Sequence, residues 1–262
     1  MKKAILITAT VLVVTGLAII AGVFIFSGFN ITQLDAAQYF TKEYSADAGF
    51  HNIKINVKEA DIIFKRSENE ECKAVFYERE RVTHSVTVED DTLDISVNDE
   101  RKLYERIGFS FKKMTVTLYL PSTVYERLEI VCGTGDVTIP EGFAFDSVTV
   151  SASTGNVTYR ATSPQCKITA STGDIAVENT SATNMELSVS TGKISVKSLF
   201  CGKDLYVHVS TGKTTLDNVD CKYFGTDGST GDITLKDVVA EEISVERSTG
   251  DVAFENSDAA KI

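Results

Sequence analysis

Through the second half of the chain, apolar and polar residues alternate, break at a glycine, alternate again, and restart about nineteen residues later. The glycines are Gly135, Gly155, Gly173, Gly192, Gly212, Gly231 and Gly250, spaced 20, 18, 19, 20, 19 and 19 residues apart, and six of the seven close a Ser-Thr-Gly step. Seven, five and three residues before each glycine stand apolar sets such as Leu128, Ile130 and Cys132, or Leu205, Val207 and Val209. Two and four residues after it stand pairs such as Val137 and Ile139, or Ile194 and Val196. Period-two alternation predicts strands, and a fixed period with no helical signal between turns predicts a β-solenoid with one coil per repeat. The expected fold is therefore all-β, a single-chain parallel β-solenoid (β-helix- or β-roll-like) of about 19-residue coils, regular from 128 to 262. Glycine supplies the positive φ that the corner requires. Thr226, Gly228 and Arg247 fall in inward slots of the last coils and predict looser packing or a cap there.

A degenerate coil precedes the array. Ile53, Ile55 and Val57, then Ile62 and Phe64, keep the same offsets if Ala60 takes the glycine place. Between it and the array the pattern changes to an antiparallel section. Val86–Val88 and Leu93–Val97 flank the turn signal Asp90-Asp91, and Met114, Val116, Leu118 and Leu120 alternate up to Pro121. These strands are expected to cover the first end of the solenoid. The stretch 98–113, with Arg101, Lys102, Arg106, Lys112 and Lys113, reads as a solvated basic loop.

Ala4 to Phe26 is an uncharged run of 23 residues, long enough to cross a hydrocarbon layer of about 30 Å. Lys2 and Lys3 precede it, and the next basic residue is Lys42. The positive-inside rule then places residues 1–3 in the cytoplasm, a transmembrane anchor at 4–26, a juxtamembrane linker at 27–49 and an extracytoplasmic strand-repeat domain at 50–262. A cleaved signal peptide has a shorter apolar region, about 7–15 residues, so the length favours an uncleaved single-pass anchor in the cell membrane. The net charge is −11 and the part beyond Lys2 and Lys3 carries −13, which disfavours nucleic acid as a partner.

Five cysteines cannot form a complete disulfide framework. Cys132 and Cys166 occupy inward slots. Cys201 and Cys221 both lie nine residues after a glycine, where other coils carry alanine or proline. They are either candidates for a bridge between adjacent coils or two small residues in an alanine slot. The three histidines, His51, His84 and His208, share no ladder; His208 stands on an outward ladder with Ser188 and Asp227 as neighbours and reads as a lone surface histidine, and no base is implied beside the turn serines, so catalysis is not expected. The row after the glycines, Asp136, Asn156, Asp174, Lys193, Lys213, Asp232 and Asp251, contains two lysines, which an oxygen-ligated cation would not tolerate. It reads instead as turn residues of mixed sign. The threonine column, Thr134 to Thr249, is expected to close the turn through stacked hydroxyls. No cofactor is implied.

Ser171-Thr-Gly-Asp-Ile-Ala-Val177, Ser229-Thr-Gly-Asp-Ile-Thr-Leu235 and the strand end Leu118-Tyr-Leu-Pro121, together with an amino-terminal apolar helix, resemble the bacterial β-strand-repeat family known as "putative adhesin" or toastrack. The resemblance covers about Phe50 to Ile262 and implies a parallel β-solenoid carried on bacterial envelope proteins. It implies no catalytic residue. The expected role is a non-enzymatic interaction scaffold or adhesin-like module, with cell-envelope proteins or surface polymers as partners. The alternative is the external sensing component of an envelope-stress system working through partner membrane proteins.

Overall fold

In the computed structural model the described residues are 2–26, 38–46, 49–69, 71–102 and 112–261. The chain divides into two compact units, Met1–Gln38 with Arg101–Lys113, and Tyr39–Glu100 with Met114–Ile262. The first contains the helix α1, Lys2–Phe26. Side chains are described on it for 9–22 and for Ile25 and Phe26, and among the described residues no helix is long and apolar enough to cross a membrane. Of the basic loop, residues 103–111 lie outside the described residues.

The second unit is all β. Its regular part runs from β7 (Val124–Thr134) through β8 (Val137–Ile139), β9 (Ala144–Thr154), β10 (Val157–Tyr159), β11 (Ser163–Thr172), β12 (Ile175–Thr191), β13 (Ile194–Thr211), β14 (Thr214–Thr230) and β15 (Ile233–Thr249) to β16 (Val252–Glu255) and β17 (Asp258–Lys261). Every neighbouring pair is parallel and in register with the repeat. Leu187 pairs with Val207, Val207 with Thr226, and Thr226 with Val245. The inward columns read from the sequence are buried, as at Leu128, Val150, Ile168, Leu187 and Val207 before the corner and Val137, Val157, Ile175, Ile194 and Ile233 after it. Each such aliphatic side chain contributes roughly 1.5–3 kcal/mol on burial, and only the stack as a whole can bury them.

The corner glycines have φ between +129° and +148°. A Cβ built on Gly155 would overlap the carbonyl oxygen of Gly135, and each later glycine meets the glycine one coil before it in the same way. Glycine is therefore required twice over at these positions, for its φ and for the closeness of the stacked backbones. The corner is closed by backbone bonds: Gly135 N–H donates to Thr154 O at 2.9 Å, and the same bond recurs up to Gly231 and Thr249. The threonine carbonyls carry this closure. Hydroxyl bonds within the threonine column, expected from the sequence, are absent among the described residues.

A second corner was not read from the sequence. Six residues after the glycine the chain turns through Asn179, Ser198, Asn218, Asp237 and Asn256, all at φ between +47° and +57°. Asn and Asp tolerate this left-handed conformation better than most residues with a Cβ. Inward residues beyond it, including Leu199, Val219 and Val238, form a third wall of the core. In the early coils that wall is aromatic: Phe50, Tyr125 and Phe145 stack in sequence with centroids 6.1 and 5.8 Å apart.

The degenerate coil is β2 (Asn52–Arg66), and Ala60 does stand in the glycine place, under Gly135. On its far side β2 pairs in parallel with β5 (Thr92–Asp99) and then with β6 (Met114–Leu120). β4 (Val82–Glu89) runs antiparallel to β5, and β3 (Cys72–Arg79) antiparallel to β6. The turn at Asp90-Asp91 has φ of +48° and +62°, as a two-residue hairpin needs. The antiparallel section thus covers the first end. One boundary needs correction. Within the expected linker 27–49, Tyr39–Ala46 forms strand β1, antiparallel to β3 throughout, with Tyr39 stacked on Tyr77 and Tyr44 edge-on to Phe76. The cross-strand aromatics hold this segment in the domain.

Candidate functional site

With the interior filled by side chains, the chemistry-bearing residues lie on the outer surface of the strands that precede the glycine corner. Residues eight, six and four before each glycine point outward, in three columns along the solenoid. One holds Ser147, Gln165, Asn184, Asp204 and Tyr223, the second Thr149, Lys167, Glu186, Tyr206 and Gly225, and the third Ser151, Thr169, Ser188, His208 and Asp227. Neighbours within a column bond to one another. Asn184 Nδ2 donates to Gln165 Oε1 at 3.3 Å, Lys167 Nζ meets Glu186 Oε1 at 2.8 Å, and Thr169 Oγ1 lies 3.3 Å from Ser151 Oγ.

A groove of about 620 Å³ runs over the first two columns between Ser147 and Tyr206. Tyr206 stands at its end, 43% exposed. Gly225 makes room for the ring: a Cβ there would lie 2.9 Å from Tyr206 Cδ2 and 2.8 Å from Tyr223 Cε1. A hydrogen bond to the Asp227 carboxylate holds the Tyr206 phenol above its ordinary pKa. Asp227 also accepts from His208 Nδ1, at 2.9 and 3.0 Å, and His208 Nε2 lies 3.0 Å from Ser210 Oγ. His208 is therefore not the lone surface histidine expected, and a turn serine does have a base within reach. The two partners sit on adjacent coils, 19 residues apart, and only the register brings them together. The connectivity is that of a Ser-His-Asp triad. Its side chains are about one-third exposed on an open sheet face, whereas triad chemistry also needs preorganised oxyanion donors and exclusion of water. Here the network fixes the orientation of Tyr206 and His208.

The acidic row after the glycines has a structural task. Asp136 N–H donates to Asp61 Oδ1 at 2.9 Å, Asn156 N–H to Asp136 Oδ1 at 2.8 Å, Asp174 N–H to Asn156 Oδ1 at 2.9 Å, and Lys193 N–H to Asp174 Oδ1 at 2.8 Å. Each side-chain oxygen satisfies an amide of the next coil, which explains Asp or Asn at this position better than the expected balance of signs. This role is not among those expected from the sequence, although Asp61 stands one residue after Ala60 in the degenerate coil.

Cys201 and Cys221 are direct neighbours in the β13–β14 register, both buried and both free thiols. Burial pushes the Cys221 thiol up to about 12 and the Cys201 thiol upward as well. Cys201 Sγ donates to the carbonyls of Asp204 and Thr183, at 3.3 and 3.4 Å. Groups held so far from the thiolate form are poor nucleophiles. His84 is also buried, stacked on Phe76, with its backbone N–H 2.5 Å and its Nδ1 3.1 Å from Glu78 Oε1.

Register-locked parallel coils around a side-chain-filled core, with polar ladders along the outside, define a parallel β-solenoid. Residues 50–204 match the Toastrack DUF4097 family, and the chain belongs to it. Its fold is also that of a crystal structure described as a "putative adhesin" from Bacteroides fragilis, at 18% identity and a TM-score of 0.54, covering 83% of this chain and 97% of that one. A second such protein, from Parabacteroides distasonis, aligns at 15% identity and a TM-score of 0.50 over 84% of this chain and 98% of its own. No curated protein matches the chain.

Proposed function

We propose that this toastrack solenoid is a non-enzymatic interaction scaffold of adhesin type, held at the bacterial cell membrane by α1 with Tyr39–Ile262 on the outer side. One observation carries the reading: polar and aromatic side chains, Gln165, Lys167, Asn184, Glu186 and Tyr206 among them, are arrayed in register along an outer face over a continuous cluster of buried side chains. The description of two structural relatives as "putative adhesin" agrees with this. The uncharged run from Ala4 to Phe26, preceded by Lys2 and Lys3, supports the anchor and its direction. The test is fractionation of cells producing the full chain, followed by protease treatment of intact cells. The chain is expected in the membrane fraction with its solenoid digested from outside. Recovery from the cytosol, or protection from protease in intact cells, would refute the placement.

A further inference from the structure

The groove on the outer face has a composition that selects a chemical class of ligand. Its lining combines planar amides, Gln165 and Asn184, an ion pair, Lys167 with Glu186, a further carboxylate, Asp204, and the ring of Tyr206. The volume, about 620 Å³, lies within the range of small-molecule clefts, roughly 300–1,000 Å³. Its apolar lining residues, Val148, Cys166 and Met185, face inward and are buried beneath the polar columns, which leaves no open apolar trough for a lipid chain. It is a sheet face rather than a free strand edge, which argues against an added peptide strand.

Charge narrows the choice further. Lys167 is matched by Glu186, so Asp204 leaves one carboxylate in excess, on a chain of net charge −11. An acidic polymer would meet repulsion here. A neutral sugar would not. A pyranose presents hydroxyls at its edge, suited to amides and carboxylates, and an apolar C–H face suited to an exposed aromatic ring. The columns repeat at the coil rise of about 4.8 Å, close to the advance per sugar along an extended β-1,4-linked chain. From Ser147 to Asp204 the groove spans four coils, roughly 14 Å, which matches three sugar units. Tyr206 is also preorganised, leaning over Gly225 and tied through Asp227 to His208, so little freedom is lost on binding.

We infer that this groove is a subsite for a neutral, extended β-linked oligosaccharide, with Tyr206 as its aromatic wall and Gln165, Asn184, Glu186 and Asp204 as the hydroxyl-binding row. The inference rests on the scaffold reading and supplies the partner class for its outer face.

The test is titration of the full chain in detergent micelles with the β-1,4-linked trisaccharides of glucose and of N-acetylglucosamine, against the acidic β-1,4-linked trisaccharide of mannuronate. At least one neutral trisaccharide should bind with a Kd below about 1 mM, and the acidic one should bind at least tenfold more weakly. Tyr206→Ala should weaken the neutral ligand about tenfold, Tyr206→Phe should retain most of the affinity, and Phe200→Ala, on a different outer face, should leave it unchanged. Circular dichroism of each variant establishes that the fold is kept. Should Tyr206→Ala unfold, Gln165→Ala replaces it with the same expected direction. Absence of neutral-sugar binding, equal binding of the acidic trisaccharide, or indifference to the groove substitutions overturns the subsite. The scaffold reading is separable: a photocrosslinker at Glu186 that captures envelope proteins in cells, in the absence of sugar binding, leaves the scaffold standing and removes the sugar.

Discussion

Arg247 passes across Gly228 and donates from Nη1 to the carbonyl of Val209, two coils away, at 2.6 Å. A Cβ on Gly228 would overlap both that oxygen and the guanidinium. Two of the three inward slots that read as decay in the sequence are thus one device: Gly228 opens a passage and Arg247 fills it, satisfying a carbonyl whose own residue is fully buried. Burial lowers the pKa of Arg247, while the nearby Asp227 carboxylate works the other way. An unpaired buried carbonyl costs about 1–3 kcal/mol. Arg247→Ala should therefore lower stability by about that much, and Gly228→Ala by a similar amount through overpacking. Urea denaturation of both variants, with the wild type as reference, checks this.

The two kinds of corner should respond in opposite ways. Gly192 has φ +148° and stacks against the Gly173 carbonyl, so Gly192→Ala combines backbone strain with overlap and should cost about 3 kcal/mol. Ser198, at φ +54°, carries a side chain in a conformation that glycine or asparagine adopts more readily. Ser198→Gly and Ser198→Asn should fall within about 1 kcal/mol of wild type or be more stable. Thermal melts of the three variants separate these outcomes.

What could be read in the sequence follows from which interactions are periodic. The glycine corners, the inward columns and the Ala60 slot repeat with one residue type or one hydrophobicity class, so a count along the chain finds them. The second corner repeats as well, but through Asn179, Ser198, Asn218 and Asp237, residues alike in their tolerance of a left-handed backbone rather than in hydropathy. The repeat register already sets Asp227 beside His208 on one outward ladder, but the bond between them, like that of Arg247 with Val209, depends on side-chain geometry that no count along the chain shows. Tyr39–Ala46 is partnered by β3, beyond the reach of any local pattern, and its mixed polarity reads as linker.

The carboxylate and amide row should contribute through hydrogen bonds to backbone amides rather than through a cation. Asp174→Ala removes the acceptor for the Lys193 amide and should cost about 1 kcal/mol. Lys193→Asn places a side-chain oxygen where the row is interrupted and should stabilise by up to about 1 kcal/mol. Adding calcium or a chelator should leave the melting temperature of the wild type unchanged, and a calcium-dependent rise would overturn this account of the row.

Stability should also depend on pH through the covering strands. His84 is buried against Phe76, and loss of solvation lowers its pKa, against the pull of the Glu78 carboxylate. The unfolded chain then binds a proton that the folded one does not. Stability is fully present above the ordinary histidine value of 6.5 and falls as pH drops from there through the folded value. Urea midpoints measured from pH 8 down to pH 5 should decline below about 6.5, and His84→Asn, which has no titrating ring, should flatten that decline.

The central claim is that partners meet the outer face carrying Glu186 and Tyr206 rather than the other sides of the coil. Site-specific photocrosslinking in intact cells tests it most directly, with the crosslinker at Glu186 in one strain and in another at Lys197, an exposed position beyond the glycine corner. The account predicts adducts from Glu186 that are lost on introducing Tyr206→Ala, and none from Lys197. Equal capture at both positions, or capture only at Lys197, would contradict it.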